Sequence, residues 1–281
     1  LTRTALLYVP QHFLSQGALP LVLVFHGGAS SPEAIAQISA MHRIAERAGF
    51  IVAYPAGTLG SAGLTWSPGG TGGARKTRDA GFVNKMILDL RRRYAIDAAR
   101  IFVAGFSIGG SLVYELACVL ADKIAAAAVV AGAMTIADCD PVRPVSLIHI
   151  HGTGDRRVPA AGGRGPATSA KNRWRAVREG IDRWRQINGC KDEPQVVRQA
   201  IEGVTGYRYF GKSDVELWLI EGGGHVWPGG TREGASTDDE PGHAGKFSAS
   251  EKIWGFFAAH ARGRQSSSRL SIAREGGRDE A

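Results

Sequence analysis

IFVAGFSIGG, Ile101 through Gly110, is the stretch that decides the fold. Four apolar residues, Ile101 to Ala104, read as a short strand buried on both faces. Gly105-Phe106-Ser107-Ile108-Gly109 follows, a G-x-S-x-G match, and an apolar run at helical spacing, Leu112 to Leu120, comes next. Strand, tight turn and helix in that order can lift a serine hydroxyl above the edge of a sheet. The turn is strained, so its neighbours must be small; Gly105 and Gly109 let strand and helix approach, and Gly110 adds room at the helix start. The pentapeptide alone is weak in a chain with 38 glycines. Its context carries the argument.

Outward from this stretch, strands and helices alternate. Ala5 to Pro10 reads as an opening strand, and Leu19 to Phe25 (LPLVLVF) as a strand buried on both faces. Further strands are expected over Phe50 to Tyr54, Ile124 to Val130, Val145 to His151, Gln195 to Ala200, Gly206 to Phe210 and Val215 to Ile220. Helical spacing marks Pro32 to Ala48, closed by Gly49, and Asp79 to Tyr94, with Asp79 as N-cap. It also marks Arg173 to Ile187, with Trp174, Val177, Ile181 and Trp184 inward, and Phe247 to Ala259. The alternation predicts an α/β fold: one mostly parallel sheet with helices on both faces and site residues at the carboxyl ends of strands. We expect one catalytic domain over residues 1–260 and a disordered basic tail over 261–281.

Bulk properties fit this reading. The chain has 281 residues, 44% of them hydrophobic and 21% charged, enough for one α/β domain with a full core. No apolar run approaches the length of a bilayer span, so no membrane partner is expected. The first residue is Leu1 rather than methionine, which leads us to expect a removed leader and a secreted protein. The net charge is +8, gathered between Arg156 and Arg185 and again between Arg262 and Arg278. A basic surface can attract nucleic acid, anionic lipid or acidic polysaccharide. No nucleic-acid motif accompanies the charge, which reads as a solvated helix face and a tail. The three cysteines lack C-x-x-C spacing, which argues against zinc. Cys118 reads as a small core residue, while Cys139 and Cys190 lie in loop-like contexts and could pair in an oxidising compartment.

Partners for Ser107 follow in the chain. In α/β-hydrolases the order is serine, acid, histidine. Asp155 is the expected acid, one glycine-flanked turn past the VSLIHIH strand. Asp138 and Asp140 precede that strand, and Asp182 sits mid-helix as a partner for arginine. His225 is the expected base, in a loop after a strand and three glycines (VELWLIEGGGH). His149 and His151 belong to a buried strand, His243 and His260 lack a strand before them, and His26 reads as structural. The oxyanion donors are expected to be the N–H of Ile108 and that of Gly28 or Ala29, after the Leu19 to Phe25 strand. Trp66, on the glycine-rich loop from Ala56 to Arg78, either lines a substrate pocket or pins the loop to the core. Asp238-Asp239-Glu240 reads as a solvated acidic loop rather than a Ca²⁺ site, so no metal and no cofactor are expected.

The set LVLVFHGG, GFSIGG, HGTGDRRVP, RWRQINGC and GGGHVWPGG resembles the polyhydroxybutyrate depolymerase/feruloyl esterase group of α/β-hydrolases (carbohydrate esterase family 1-like), over about Ala5 to Ala259. The resemblance implies a serine carboxylesterase with Ser107, Asp155 and His225 as triad, commonly secreted, and places Trp227 near the mouth of the site as a substrate-binding residue. It implies an ester substrate, polymeric ones included: feruloylated (cinnamoyl) plant polysaccharide or aryl esters first, polyhydroxybutyrate or acetylated xylan second. Arg156-Arg157 and the long polar segment AAGGRGPATSAKNR depart from the pattern and bear on substrate choice. An idle hydrolase fold that binds an acidic polymer is the alternative of another class.

Overall fold

The computed structural model describes residues 3–68, 76–167, 173–198, 201–231 and 247–262. Six parallel strands form its centre: β2 (Leu19–Phe25), β3 (Ile51–Pro55), β6 (Ile96–Phe106), β7 (Ala126–Val130), β8 (Ser146–Gly152) and β13 (Val215–Ile220). Antiparallel strands finish both edges, β1 (Ala5–Tyr8) on one side, β12 (Val204–Tyr209) and β11 (Gln195–Arg198) on the other. The order across the sheet is β1-β3-β2-β6-β7-β8-β13-β12-β11. A parallel sheet must be covered on both sides, so its strands are apolar on both sides. Along β2, Leu21, Leu23 and Phe25 join one core and Val22 and Val24 the other.

The first core is closed by α3 (Lys76–Arg93), α4 (Ile108–Val119) and α5 (Val177–Asn188). The second is closed by α1 (Pro32–Ser39), α2 (Met41–Ala48) and α6 (Ala249–Ala259). The single helix expected over residues 32–48 is therefore two, broken at Ala40, whose φ of 46° is left-handed. The Ser39 hydroxyl donates to the Ile35 carbonyl (2.7 Å), a local bond that competes with continuing the helix. Asp79 is not an N-cap: α3 starts three residues earlier, and Asp79, buried, accepts from the Arg3 guanidinium (2.7 Å) and the Ser67 N–H (3.0 Å). α5 starts at Val177 because Arg173–Trp174 pairs instead with Gly163–Arg164 as a small ribbon, β10 on β9. Within the loop after β3, Thr58–Gly60 (β4) and Gly63–Thr65 (β5) make a hairpin that periodicity did not reveal.

The cysteine expectation is corrected. Cys118, on α4, pairs with Cys139 across a Cα–Cα distance of 5.8 Å, and Cys190 remains a thiol. Both paired cysteines are also core residues, which is why an apolar context around Cys118 concealed its partner. The described chain runs two residues beyond the expected boundary, and the Arg262 N–H donates to the Ala99 carbonyl (2.7 Å). The remaining tail, Asp238-Asp239-Glu240 and His243 lie outside the described residues. Among the described residues no helix is long and apolar enough to cross a membrane.

Candidate active site

β6 ends at Phe106 and α4 begins at Ile108, leaving Ser107 alone at the turn with φ 57° and ψ −123°. An L-residue held in such a conformation stores strain that its surroundings must fix. The Ser107 N–H donates to the Val130 carbonyl of β7 (2.9 Å), and the Ser107 carbonyl accepts from Ser111 N–H (3.0 Å). Two glycines make the turn possible. A Cβ on Gly105 would lie 2.3 Å from the Gly109 carbonyl oxygen, and one on Gly109 would lie 2.4 Å from that of His26. α4 thus rests backbone on backbone against β6 and against the end of β2.

Asp155 and His225 lie on the loops after β8 and β13, neighbouring parallel strands. These loops also meet through backbone: Thr153 N–H donates to Ile220 O, Gly154 N–H to Gly223 O, and Gly222 N–H to the Thr153 hydroxyl. The structure brings the three side chains into one line. His225 Nδ1–H donates to Asp155 Oδ2 (2.8 Å), and His225 Nε2 lies 2.9 Å from Ser107 Oγ. With its proton on Nδ1, the neutral ring presents an Nε2 lone pair to the serine O–H. Asp155 Oδ1 accepts the backbone N–H groups of Arg157 and Val158, each at 2.8 Å. Burial would push this carboxyl up, but the hydrogen bonds from His151 and His225 outweigh it and hold the group well below the usual carboxylate range.

Gly27 and Gly28 run beside the elbow. A Cβ on Gly27 would lie 3.4 Å from Ser107 Cβ, and one on Gly28 3.6 Å from Ile108 Cγ2. As the first residue of α4, Ile108 has no intrahelical acceptor for its N–H. Ala29 carries a left-handed φ of 53°, and the following residue is bridged by Ser30 N–H to Leu64 O of the β4–β5 hairpin. His26 is tied down away from Ser107: Nδ1–H donates to Gly27 O (2.6 Å) and Nε2 accepts from Gly57 N–H (3.0 Å). Burial depresses its pKa, in keeping with a neutral ring.

Neither tryptophan is an exposed wall. Trp66 is 3% exposed, meets Phe25 edge-on, and donates its indole N–H to the His26 carbonyl (2.9 Å). It pins the loop to the core, which corrects the pocket-lining reading. Trp227 is equally buried and donates to the Ser250 hydroxyl (2.9 Å), so it supports the histidine loop from below instead of standing at a mouth. Residues missed in the sequence take the closer places. The Phe106 ring lies 4.9 Å from that of His225. His149 and His151, read only as strand residues, lead from Asp155 into the core (His149 Nε2 to His151 Nδ1, 3.0 Å). Their signal was H-x-H on one strand face directly before the acid loop. Asp182 pairs with Arg185, as its helix position suggested. Among the described residues no cluster of three His, Cys, Asp or Glu side chains is placed to hold a metal ion.

A nucleophile-bearing turn after an inner strand of a parallel sheet, with acid and histidine on the loops after later strands, defines an α/β-hydrolase. The chain superposes on the acetyl xylan esterase from Aspergillus awamori with a TM-score of 0.65 at 17% identity, over 92% of this chain and 94% of that one. Residues 4–161 match the family described as Esterase PHB depolymerase, and the chain belongs to that family. It is 32% identical over 236 residues to feruloyl esterase B of Piromyces equi, covering 80% of this chain and 42% of that protein. It is 34% identical over 136 residues to the bifunctional acetylxylan esterase/xylanase XynS20E of Neocallimastix patriciarum, covering 48% of this chain and 19% of that protein. The chain thus spans less than half the length of these curated relatives.

Proposed function

We propose that this chain is a serine carboxylic-ester hydrolase that acts through an acyl-enzyme. The carrying observation is the unbroken line Asp155 Oδ2–His225 Nδ1 (2.8 Å) and His225 Nε2–Ser107 Oγ (2.9 Å). An alcohol is a poor nucleophile at neutral pH, and an imidazole lone pair within bonding distance removes its proton as the oxygen attacks. His225 takes that proton, and Asp155 orients the ring and balances the imidazolium charge. The oxyanion is received by the N–H of Ile108 and that of Gly28 or Ala29; such a donor lowers the barrier by about 2.7–4 kcal/mol. His225 then gives the proton to the departing alcohol. In the second half, water loses a proton to His225 and adds to the acyl carbon, and Ser107 leaves with the proton returned.

Among esters we place feruloyl (cinnamoyl) esters of plant polysaccharide or aryl alcohols first, on the similarity to feruloyl esterase B over most of this chain. Acetylated xylan and polyhydroxybutyrate come second, on the similarity to an acetylxylan esterase and on the family itself. The Cys118–Cys139 disulfide supports an extracellular or periplasmic site of action. Hydrolysis of p-nitrophenyl acetate by the protein and by Ser107→Ala tests the chemistry: activity is expected to vanish in the variant, and full retention removes the mechanism. Methyl ferulate, acetylated xylan and polyhydroxybutyrate then rank the substrates. Salt-sensitive binding to an acidic polymer without ester turnover would favour the idle-fold reading instead.

A further inference from the structure

Behind Asp155, on the side away from His225, a second line of polar groups runs into the core. His151 Nε2 lies 2.8 Å from the Val158 carbonyl and 3.4 Å from Asp155 Oδ2. His151 Nδ1 lies 3.0 Å from His149 Nε2, and His149 Nδ1 lies 2.8 Å from the Tyr114 hydroxyl. Tyr114 and His149 are fully buried, and His151 is 1% exposed. Trp184 of α5 closes over the Tyr114 ring at 5.7 Å, edge to face. Fully buried polar side chains are held only when each donor meets an acceptor.

The carbonyl of Val158 can only accept, so His151 carries its proton on Nε2. A neutral His151 then has a lone pair on Nδ1, and His149 must donate from Nε2. The lone pair on His149 Nδ1 accepts the Tyr114 O–H. With both rings neutral every donor meets an acceptor, and His151 Nε2–H faces both the Val158 carbonyl and Asp155 Oδ2. Reversing any bond would put two protons on one imidazole, which this burial opposes; burial holds the pKa of His149 well below the usual histidine value. The direction of the whole line is therefore set by one backbone carbonyl.

We propose that His151 is a positioning residue for the ester-cleaving site, locked in its Nε2–H tautomer by His149 and Tyr114. This rests on the hydrolase reading above. His151 acts on the carboxylate twice. It holds the carbonyl of Val158, the residue whose own N–H is bonded to Asp155 Oδ1 (2.8 Å), and its Nε2–H also faces Asp155 Oδ2. The carboxylate is thereby fastened on both oxygens and cannot swing when His225 becomes cationic. An orienting partner of this kind changes turnover rather than binding, because it touches no substrate.

Two measurements test the proposal. His151→Leu removes the N–H at similar volume, whereas His151→Gln places an amide N–H near the same point. For p-nitrophenyl acetate, His151→Leu is expected to lower kcat about 10- to 100-fold with KM little changed, and His151→Gln to recover most of the loss. A folded His151→Leu with unaltered kcat, or equal losses in both variants, overturns the proposal. If His151→Leu does not fold, the unsubstituted protein decides it. ¹⁵N-histidine NMR at pH 7, assigned with the glutamine variants, is expected to show both His149 and His151 neutral with the proton on Nε2. An Nδ1–H tautomer or a charged ring at either position overturns it. Absence of ester turnover by the unsubstituted protein would instead remove the hydrolase reading and with it the role of His151, whatever tautomers the spectrum shows.

Discussion

Gly109→Ala adds one methyl group at the point where α4 leans on the end of β2. The new carbon would sit 2.4 Å from the His26 carbonyl oxygen and 2.6 Å from that of Phe25, against an ordinary contact of 3.4 Å or more. Neither oxygen can step aside. Phe25 is paired with Gly105 in the sheet, and the His26 carbonyl also accepts the Trp66 indole N–H (2.9 Å). The start of α4 must therefore retreat by roughly 0.6–1 Å, carrying Ile108 N–H and Ser107 with it. A misplacement of about 1 Å costs about 100-fold in rate, and overpacking of this kind costs about 1–3 kcal/mol. We expect kcat/KM for p-nitrophenyl acetate to fall about 10- to 100-fold. The urea midpoint should fall, with the m-value kept. Gly81→Ala is the control: Gly81 is exposed in α3 with no atom within 4 Å of the added carbon. It should keep full activity and gain up to about 1 kcal/mol from helix propensity. A Gly109→Ala protein with unchanged kinetics and midpoint would refute the claim that close backbone packing sets the nucleophile.

Three further outcomes are expected. Ser107→Gly should be inactive yet at least as stable as the parent in urea, because it relieves about 1–3 kcal/mol of backbone strain at φ 57° against about 0.5–1 kcal/mol of glycine entropy; a clear loss of stability would count against strain at the elbow. Burial depresses the pKa of His149, so the unfolded chain binds its proton more readily; stability should fall as pH drops below about 6.5, by up to about 1.4 kcal/mol per pH unit, and His149→Gln should flatten that slope in pH-dependent urea titrations. Asp155, also depressed, acts in the same sense at lower pH: its contribution is present above about pH 4 and is lost only below it, so the two slopes separate. Replacing Cys118 and Cys139 by serine opens a loop of 21 residues' separation and should cost about 3 kcal/mol, while Cys190, its thiol pushed up to about 11 by burial, should react only slowly with an aromatic disulfide reagent in the native protein.

The parts of the fold legible in the sequence are those written in local patterns. Continuous apolar runs such as LPLVLVF belong to strands covered on both faces, and β2 is buried at all seven positions. Glycines directly after such runs marked the carboxyl edge, where Ser107, Asp155 and His225 now lie together. What stayed hidden depends on distances between remote segments. Cys118 is a core residue by its surroundings and a disulfide partner only by the arrangement of α4 against the loop before β8. Trp66 left a pocket wall and a core pin equally open, and only the family resemblance put Trp227 near the mouth; each is buried, with its indole N–H on one acceptor in the core. The H-x-H pattern of β8 was visible, but its meaning depends on the Val158 carbonyl across the acid loop.

The order of strands explains why the three site residues are held so differently. Neighbouring strands lie about 4.8 Å apart, so β6 and β13, separated by β7 and β8, stand roughly 14 Å apart at the sheet edge. Asp155 follows β8, the neighbour of β13, so acid and histidine loops can be sewn together by backbone bonds. Gly152 shows how closely: a Cβ there would lie 2.0 Å from the Gly223 carbonyl oxygen. Ser107 is beyond the reach of an imidazole rooted at the end of β13, so the chain after β13 must travel back over the sheet edge. Gly222, with a left-handed φ of 66°, begins that return, and Phe106 gives the arriving ring a surface at 4.9 Å. The acid–histidine bond is thus fixed by a short span of sheet, whereas the histidine–serine bond depends on how faithfully one glycine-rich loop covers a long one. Loosening that loop should weaken proton transfer at Ser107 before it disturbs Asp155, which is why the line through His151 anchors the acid rather than the base.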